Sequence, residues 1–131
     1  MTIHSLHHVA IVTPDLERAV SFYTQTLGMK LIARVGETIA FIDIGGTRLE
    51  LLAKDVAEAQ SEPTQGLVHL AWQVSDIQGA YEALAAKGVQ FHVTPRPALD
   101  GQIWVAFFKD PDGNILELFY TSKPELAAPV A

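Results

Sequence analysis

The chain of 131 residues contains no cysteine. That excludes disulfides and thiolate metal sites and leaves only nitrogen and oxygen as metal donors. Positive charge is also scarce: Lys and Arg number 9 against 15 Asp and Glu, a net charge of −6. Nucleic acid or an anionic membrane would call for a basic face, so neither is an expected partner. No apolar run approaches the roughly 20 residues that span a bilayer, and no signal peptide opens the chain. The expectation is a soluble cytoplasmic protein. Charged residues make up only 18% and apolar residues 49%, so one domain of 1–131 has enough apolar material for a core. Residues 122–131, rich in Ala and Pro, read as a loose tail or arm.

What is present is a near-repeat. The first copy opens on His8-Val9-Ala10, reaches Asp15-Leu16 and closes on Leu49-Glu50-Leu51. The second opens on His69-Leu70-Ala71, reaches Asp76-Ile77 and closes on Leu116-Glu117-Leu118. One constant offset pairs His8 with His69, Asp15 with Asp76 and Ala19 with Ala80. A slightly larger one pairs Glu50 with Glu117, Phe41 with Phe108 and Gly46 with Gly113. A duplicated substructure can bring matching positions together around a pseudo-twofold axis. Two His and two Glu meeting there would suit a divalent metal ion.

Hydrophobic periodicity places these residues. Residues 3–12 alternate as a strand. Thr13-Pro14-Asp15 then offers a capping oxygen and a first-turn proline. Leu16, Ala19, Val20, Tyr23 and Leu27 form the stripe of a helix over 15–26, which Gly28 stops. Strands follow at 30–35, 38–44 and 47–53. The second module repeats the plan, with a strand over 67–74 and Ser75 and Gln78 as a capping box. Its helix carries Ile77, Ala80, Tyr81 and Leu84 inward, and strands follow at 89–94, 102–109 and 114–120. Residues 54–66 read as a linker with room for a helical turn. The fold class is α+β: two tandem βαβββ modules, about 3–53 and 67–121, forming a curved, mostly antiparallel sheet with helices outside.

Strand alternation decides where the candidates point. Val9 and Ile11 take the helix side, and His8 the other. Leu49 and Leu51 face the helix, and Glu50 faces away. Leu70, Trp72 and Val74 oppose His69 and Gln73, and Leu116 and Leu118 oppose Glu117. All four candidates share the face that carries no helix, the hollow of a cup. An isolated strand His is more often structural than a ligand; four such residues at repeat-related positions are not isolated. The repeat selects His8 over its neighbour His7, which should point the opposite way. His4 and His92 have no counterparts. Trp72 reads as core, and Gln73, Trp104 and Phe119 as weaker candidates for lining the cup.

The segments HHVAIVTPDLERAVSFYTQTLGMKL, GGTRLELL, VHLAWQVSD and FFKDPDGNILELF resemble the vicinal oxygen chelate superfamily of glyoxalase I, bleomycin resistance proteins and dioxygenases. The resemblance covers about residues 5–121 and is nearest to bacterial glyoxalase I. It implies metal ligands at His8, Glu50, His69 and Glu117, with Ni or Co as the metal, or Zn, Mn or Fe. It implies a homodimer whose sites are shared, His8 and Glu50 of one subunit meeting His69 and Glu117 of the other. It further implies a lyase or isomerase of the lactoylglutathione lyase type, acting through a metal-chelated enediolate. Glu117 would be the catalytic base and Glu50 its counterpart. The small-molecule substrate would be a glutathione hemithioacetal.

The same scaffold also serves methylmalonyl-CoA epimerases, fosfomycin-modifying transferases, ring-cleaving dioxygenases and non-catalytic drug-binding proteins. The short linker and the KDPDG turn set this chain apart from the epimerases. A substrate with carboxylates calls for basic groups at the rim. Arg18, Arg34, Arg48 and Arg96 are available, and nothing in their spacing singles one out; Arg48 shares strand parity with Glu50 and could face the cup.

Overall fold

A computed structural model describes residues 1, 7–57, 69–98 and 101–128. The chain divides into two compact units, Met1–Pro63 and Thr64–Val130. The first runs β1 (His8–Thr13), α1 (Leu16–Ser21), a π-helical turn (Phe22–Thr26), β2 (Lys30–Val35), β3 (Ile39–Asp43) and β4 (Arg48–Ala53), then the short α2 (Lys54–Ala57). The second runs β5 (Leu70–Gln73), α3 (Ile77–Ala86), β6 (Phe91–Ala98), β7 (Ile103–Lys109) and β8 (Ile115–Thr121). The α+β architecture of two tandem modules is therefore as expected. His4 and most of the linker, 58–66, lie outside the described residues. Among the described residues, no helix is long and apolar enough to cross a membrane.

Each module builds a four-stranded mixed sheet, in the orders β1-β4-β3-β2 and β5-β8-β7-β6. The first strand pairs parallel to the last because a helix separates them in sequence; the remaining pairs are antiparallel. Ala40, Ile42, Leu49 and Leu51 are fully buried on the helix side of the first sheet, where Tyr23 of the π turn joins them. Phe108, Ala106 and Leu116 fill the same place in the second. Burying these side chains drives each sheet onto its helix and leaves the opposite face for chemistry.

The helix starts are more alike than the sequence reading held. Asp15 and Asp76 are the N-caps, with Asp15 Oδ1 accepting from Arg18 N–H at 3.1 Å and Asp76 Oδ1 from Gly79 N–H at 3.0 Å. A carboxylate outcompetes the Ser75 hydroxyl because it also meets the positive end of the helix. The first helix continues from α1 into the π turn, where Leu27 N–H reaches Phe22 O at 2.9 Å, and ends at Gly28 with φ 76°.

The tail differs from expectation. Gln73 Nε2 donates to Ala128 O at 3.0 Å, and Ala128 N–H donates to Gln73 Oε1 at 2.7 Å. A paired amide contact of this kind copies a strand ladder. It ties the described part of the tail to β5.

Candidate functional site

In the first module, β1 and β4 run parallel with Ala10 opposite Glu50. The side chain of His8, from the start of β1, reaches along the helix-free face to Glu50. His8 Nε2 stands 3.4 Å from Glu50 Oε1. The second module repeats this arrangement. Ala71 lies opposite Glu117, and His69 Nε2 stands 3.0 Å from Glu117 Oε1. In both modules the imidazole is open and the carboxylate sheltered: side-chain exposures are 38% and 15% for the first pair, 37% and 9% for the second. Each expected His thus meets its expected Glu. Among the described residues, no three such side chains come together in a way that could hold a metal ion.

The pairs fit a metal of the nitrogen- and oxygen-loving kind. Two ligand atoms each about 2.1 Å from one ion lie about 3.0 Å apart at a right angle and about 3.4 Å apart at a tetrahedral angle. The observed separations span that range. Imidazole plus carboxylate suits Ni, Co, Zn, Mn or Fe.

Two residues that sequence reasoning missed stand beside the pairs. The Phe41 ring meets His8 edge to face, at 6.0 Å between centroids and 76°. The Phe107 ring meets His69 in the same way, at 5.8 Å and 82°. Strand register places Phe41 opposite Glu50 and Phe107 opposite Glu117. The structural partner of Phe41 is therefore Phe107, not Phe108, which is fully buried on the helix side. Residues 110–114 form a turn one residue longer than 44–47, which shifts the hairpin register against a constant sequence offset. The buried Asp110 organises that turn. Its Oδ1 accepts from Asp112 and Asn114 N–H, both at 2.9 Å, and Gly113 takes φ 88°.

His7 also departs from expectation. It precedes β1, so strand alternation does not bind it. Its Nδ1 lies 3.0 Å from His8 Nδ1, and its ring approaches Phe41 at 6.4 Å. Thr47 Oγ1 donates to the His7 carbonyl at 2.9 Å and holds that backbone in place. One of the two Nδ1 atoms donates and the other accepts, which leaves His8 Nε2 for Glu50 or an ion.

Other weaker candidates resolve as well. Trp104 alternates with Val105 and pairs with Tyr120, so it lies on the helix side, beside Ser75, Asp76, Ile77 and Gln78, away from the expected cup. Gln73 holds the tail. Phe119 keeps the parity of Glu117 and lies opposite Gln73. His92 faces Phe107 at 6.1 Å. Trp72 Nε1 is buried without a hydrogen bond among the described residues. Arg34 is taken by a bidentate pair with Glu17, at 2.8 and 2.9 Å.

Electrostatically, burial pushes the Glu117 carboxyl above its ordinary value, and the neighbouring His69 pulls it back only in part. A carboxylate with a raised proton affinity is a better base than one in open water.

Residues 5–118 match the family model of the glyoxalase/bleomycin resistance protein/dioxygenase superfamily. A probable lactoylglutathione lyase of Vibrio cholerae is 32% identical over 128 residues, covering 90% of this chain and 91% of the relative. An ethylmalonyl-CoA/methylmalonyl-CoA epimerase of Cereibacter sphaeroides is 31% identical, covering 88% and 97%. The crystal structure of a glyoxalase/bleomycin resistance protein/dioxygenase from Nocardioides superposes with a TM-score of 0.76 at 26% identity, covering 100% of this chain and 92% of that one. With the repeated modules and paired His–Glu positions already in view, the chain belongs to the glyoxalase/bleomycin resistance protein/dioxygenase superfamily.

Proposed function

We propose that this protein is a divalent-metal-dependent lyase or isomerase of the lactoylglutathione lyase type, and that His8, Glu50, His69 and Glu117 are its metal ligands. The observation that carries this reading is the twinned contact, His Nε2 against Glu Oε1 at 3.4 and 3.0 Å, at repeat-related positions on helix-free faces. The ligands come from two subunits of a homodimer, His8 and Glu50 from one and His69 and Glu117 from the other. When bound, the ion supplies electrophilic stabilisation of negative charge on two neighbouring substrate oxygens.

The chain's own residues do the rest. Glu117 takes the proton from the carbon beside the carbonyl and returns it to the neighbouring carbon. Its burial keeps its affinity for that proton high. Glu50 performs the same duty from the first module where the substrate presents its other face. His8 and His69 hold position and do not shuttle protons. Phe41 and Phe107 shield the imidazoles on one side. The substrate is a hemithioacetal of glutathione and a 2-oxoaldehyde, as the similarity to a probable lactoylglutathione lyase supports.

The test is metal analysis of the purified protein followed by a methylglyoxal–glutathione isomerase assay before and after chelation. Activity that chelation removes and Ni, Co or Zn restores is the expected result. A loaded protein with no isomerase activity would sink the lactoylglutathione lyase assignment. The 31% identical epimerase favours a second reading, in which the same residues move the proton beside a thioester carbonyl. Racemisation of methylmalonyl-CoA in the same preparation would identify it.

A further inference from the structure

The two modules differ on the helix-free face beside the paired Glu residues. Arg48 of β4 sits two residues before Glu50. The position two residues before Glu117 in β8 is Ile115. A guanidinium stands in one module where the other has an alkyl group.

The Arg48 side chain is half-buried, and it makes no hydrogen bond or ion pair among the described residues. That is unusual in a chain with 15 acidic residues and 9 basic ones. Two nearby acids have other partners. Asp43 lies opposite Arg48 across the β3–β4 ladder, but its Oδ1 accepts from Gly45 N–H at 2.9 Å and closes the hairpin turn. Glu50 is turned to His8. Arg48 instead borders a shallow hollow of about 180 Å³ with His7, Ile32, Ala33 and Phe41. Ile32 is 44% exposed, a large apolar side chain left open to the hollow. The hollow adjoins the His8–Glu50 pair directly, because His7 and Phe41 both touch His8.

We propose that this hollow is an anion-anchoring subsite, in which Arg48 binds a carboxylate or phosphate at the end of a small molecule. Ile32, Ala33 and Phe41 take its apolar stem. A half-buried guanidinium with unfilled donors gains more from a planar or tetrahedral oxyanion than from water, since both oxygens can be met at once. An apolar wall strengthens that contact by lowering the local dielectric. The inference rests on the proposed function only in placing the anchored molecule's reacting end at His8 and Glu50. Arg48 would then determine specificity, selecting substrates with a distal negative charge.

The test is an amide chemical-shift titration with sodium butyrate, butyl phosphate and 1-butanol as probes. It is run on the protein as purified and again after chelation, so that no ion can recruit the anion. Both anions should shift the amides of Ile32, Phe41 and Arg48, and 1-butanol should not. Whichever anion acts at lower concentration identifies the preferred headgroup. Arg48→Ile, which copies the second module, should weaken the response about 10- to 100-fold. Arg48→Lys should keep part of it, which guards against a variant that fails for lack of folding. An equal response to 1-butanol, a full response in a folded Arg48→Ile, or no response to either anion would overturn the proposal. None of these readouts needs turnover. A blank isomerase assay with intact anion binding would therefore remove the proposed reaction and leave the subsite.

Discussion

The two modules share a plan and differ in how they furnish it. Both set an open imidazole against a sheltered carboxylate beside a Phe ring. In the first module the pair is looser, at 3.4 Å, and is surrounded by polar groups: His7 braces His8, and Arg48 lines the adjoining hollow. In the second the pair is tighter, at 3.0 Å, its Glu is the more buried, and Ile115 replaces the guanidinium. Both modules keep the same His–Glu geometry. The surroundings diverge, and under the proposed function they would divide the labour: proton chemistry in the second module, recognition in the first.

The strongest way to break this comparison is to exchange the carboxylates. Glu117→Gln should lower kcat by about 10² to 10⁴-fold, the range general-base removal commonly gives. Glu50→Gln should lower it less, while reducing metal content. Equal losses would mean that the modules do not divide the chemistry, and the measurement is steady-state kinetics on protein of known metal content. The imidazoles provide a second comparison. His8→Ala and His69→Ala should each lower metal retention through dialysis by about 10-fold or more. A fully loaded His69→Ala protein would exclude His69 as a ligand.

A finer comparison uses pH. The Glu117 carboxyl is raised in the folded protein, so the metal-free fold favours its protonated form. Its contribution to stability is complete below the unfolded-state value and is lost as pH rises through the folded value. Glu117→Gln mimics the protonated form and should gain stability over the metal-free parent as pH rises through the carboxyl range. Urea unfolding midpoints across pH read this directly. A constant difference would mean that His69 offsets the burial in full. The smallest expected effect concerns the helix caps. Asp15→Ala and Asp76→Ala should each cost about 1 kcal/mol, and by similar amounts if the helices start alike. Denaturant unfolding would show any inequality.

Much of this was legible in the sequence because two periodicities act locally. Strand alternation put His8, Glu50, His69 and Glu117 on one kind of face, and the repeat chose among the histidines. Those inferences needed only the pleat and the helical stripe. Where the reading failed, the cause lay outside those periods. His7 escapes alternation because it lies before β1. Phe107 replaces Phe108 because a turn one residue longer shifts the hairpin register. Trp104 falls on the helix side for the same reason that Phe108 does. Asp76 displaced Ser75 as the cap through a charge interaction that pattern matching does not weigh. The described part of the tail is tied down by Gln73, a contact 55 residues distant in the chain.

By itself, the sequence determined the α+β class, the two-module plan and the identity of the four proposed ligands, because each follows from spacing along a strand or between copies. Only the tertiary structure decided which atoms meet: His Nε2 with Glu Oε1 in both modules, His7 against His8, and the Arg48 side chain with no partner among the described residues. Such contacts depend on sheet register and on competition among side chains for the same hydrogen bonds. Neither is written in any local stretch of residues.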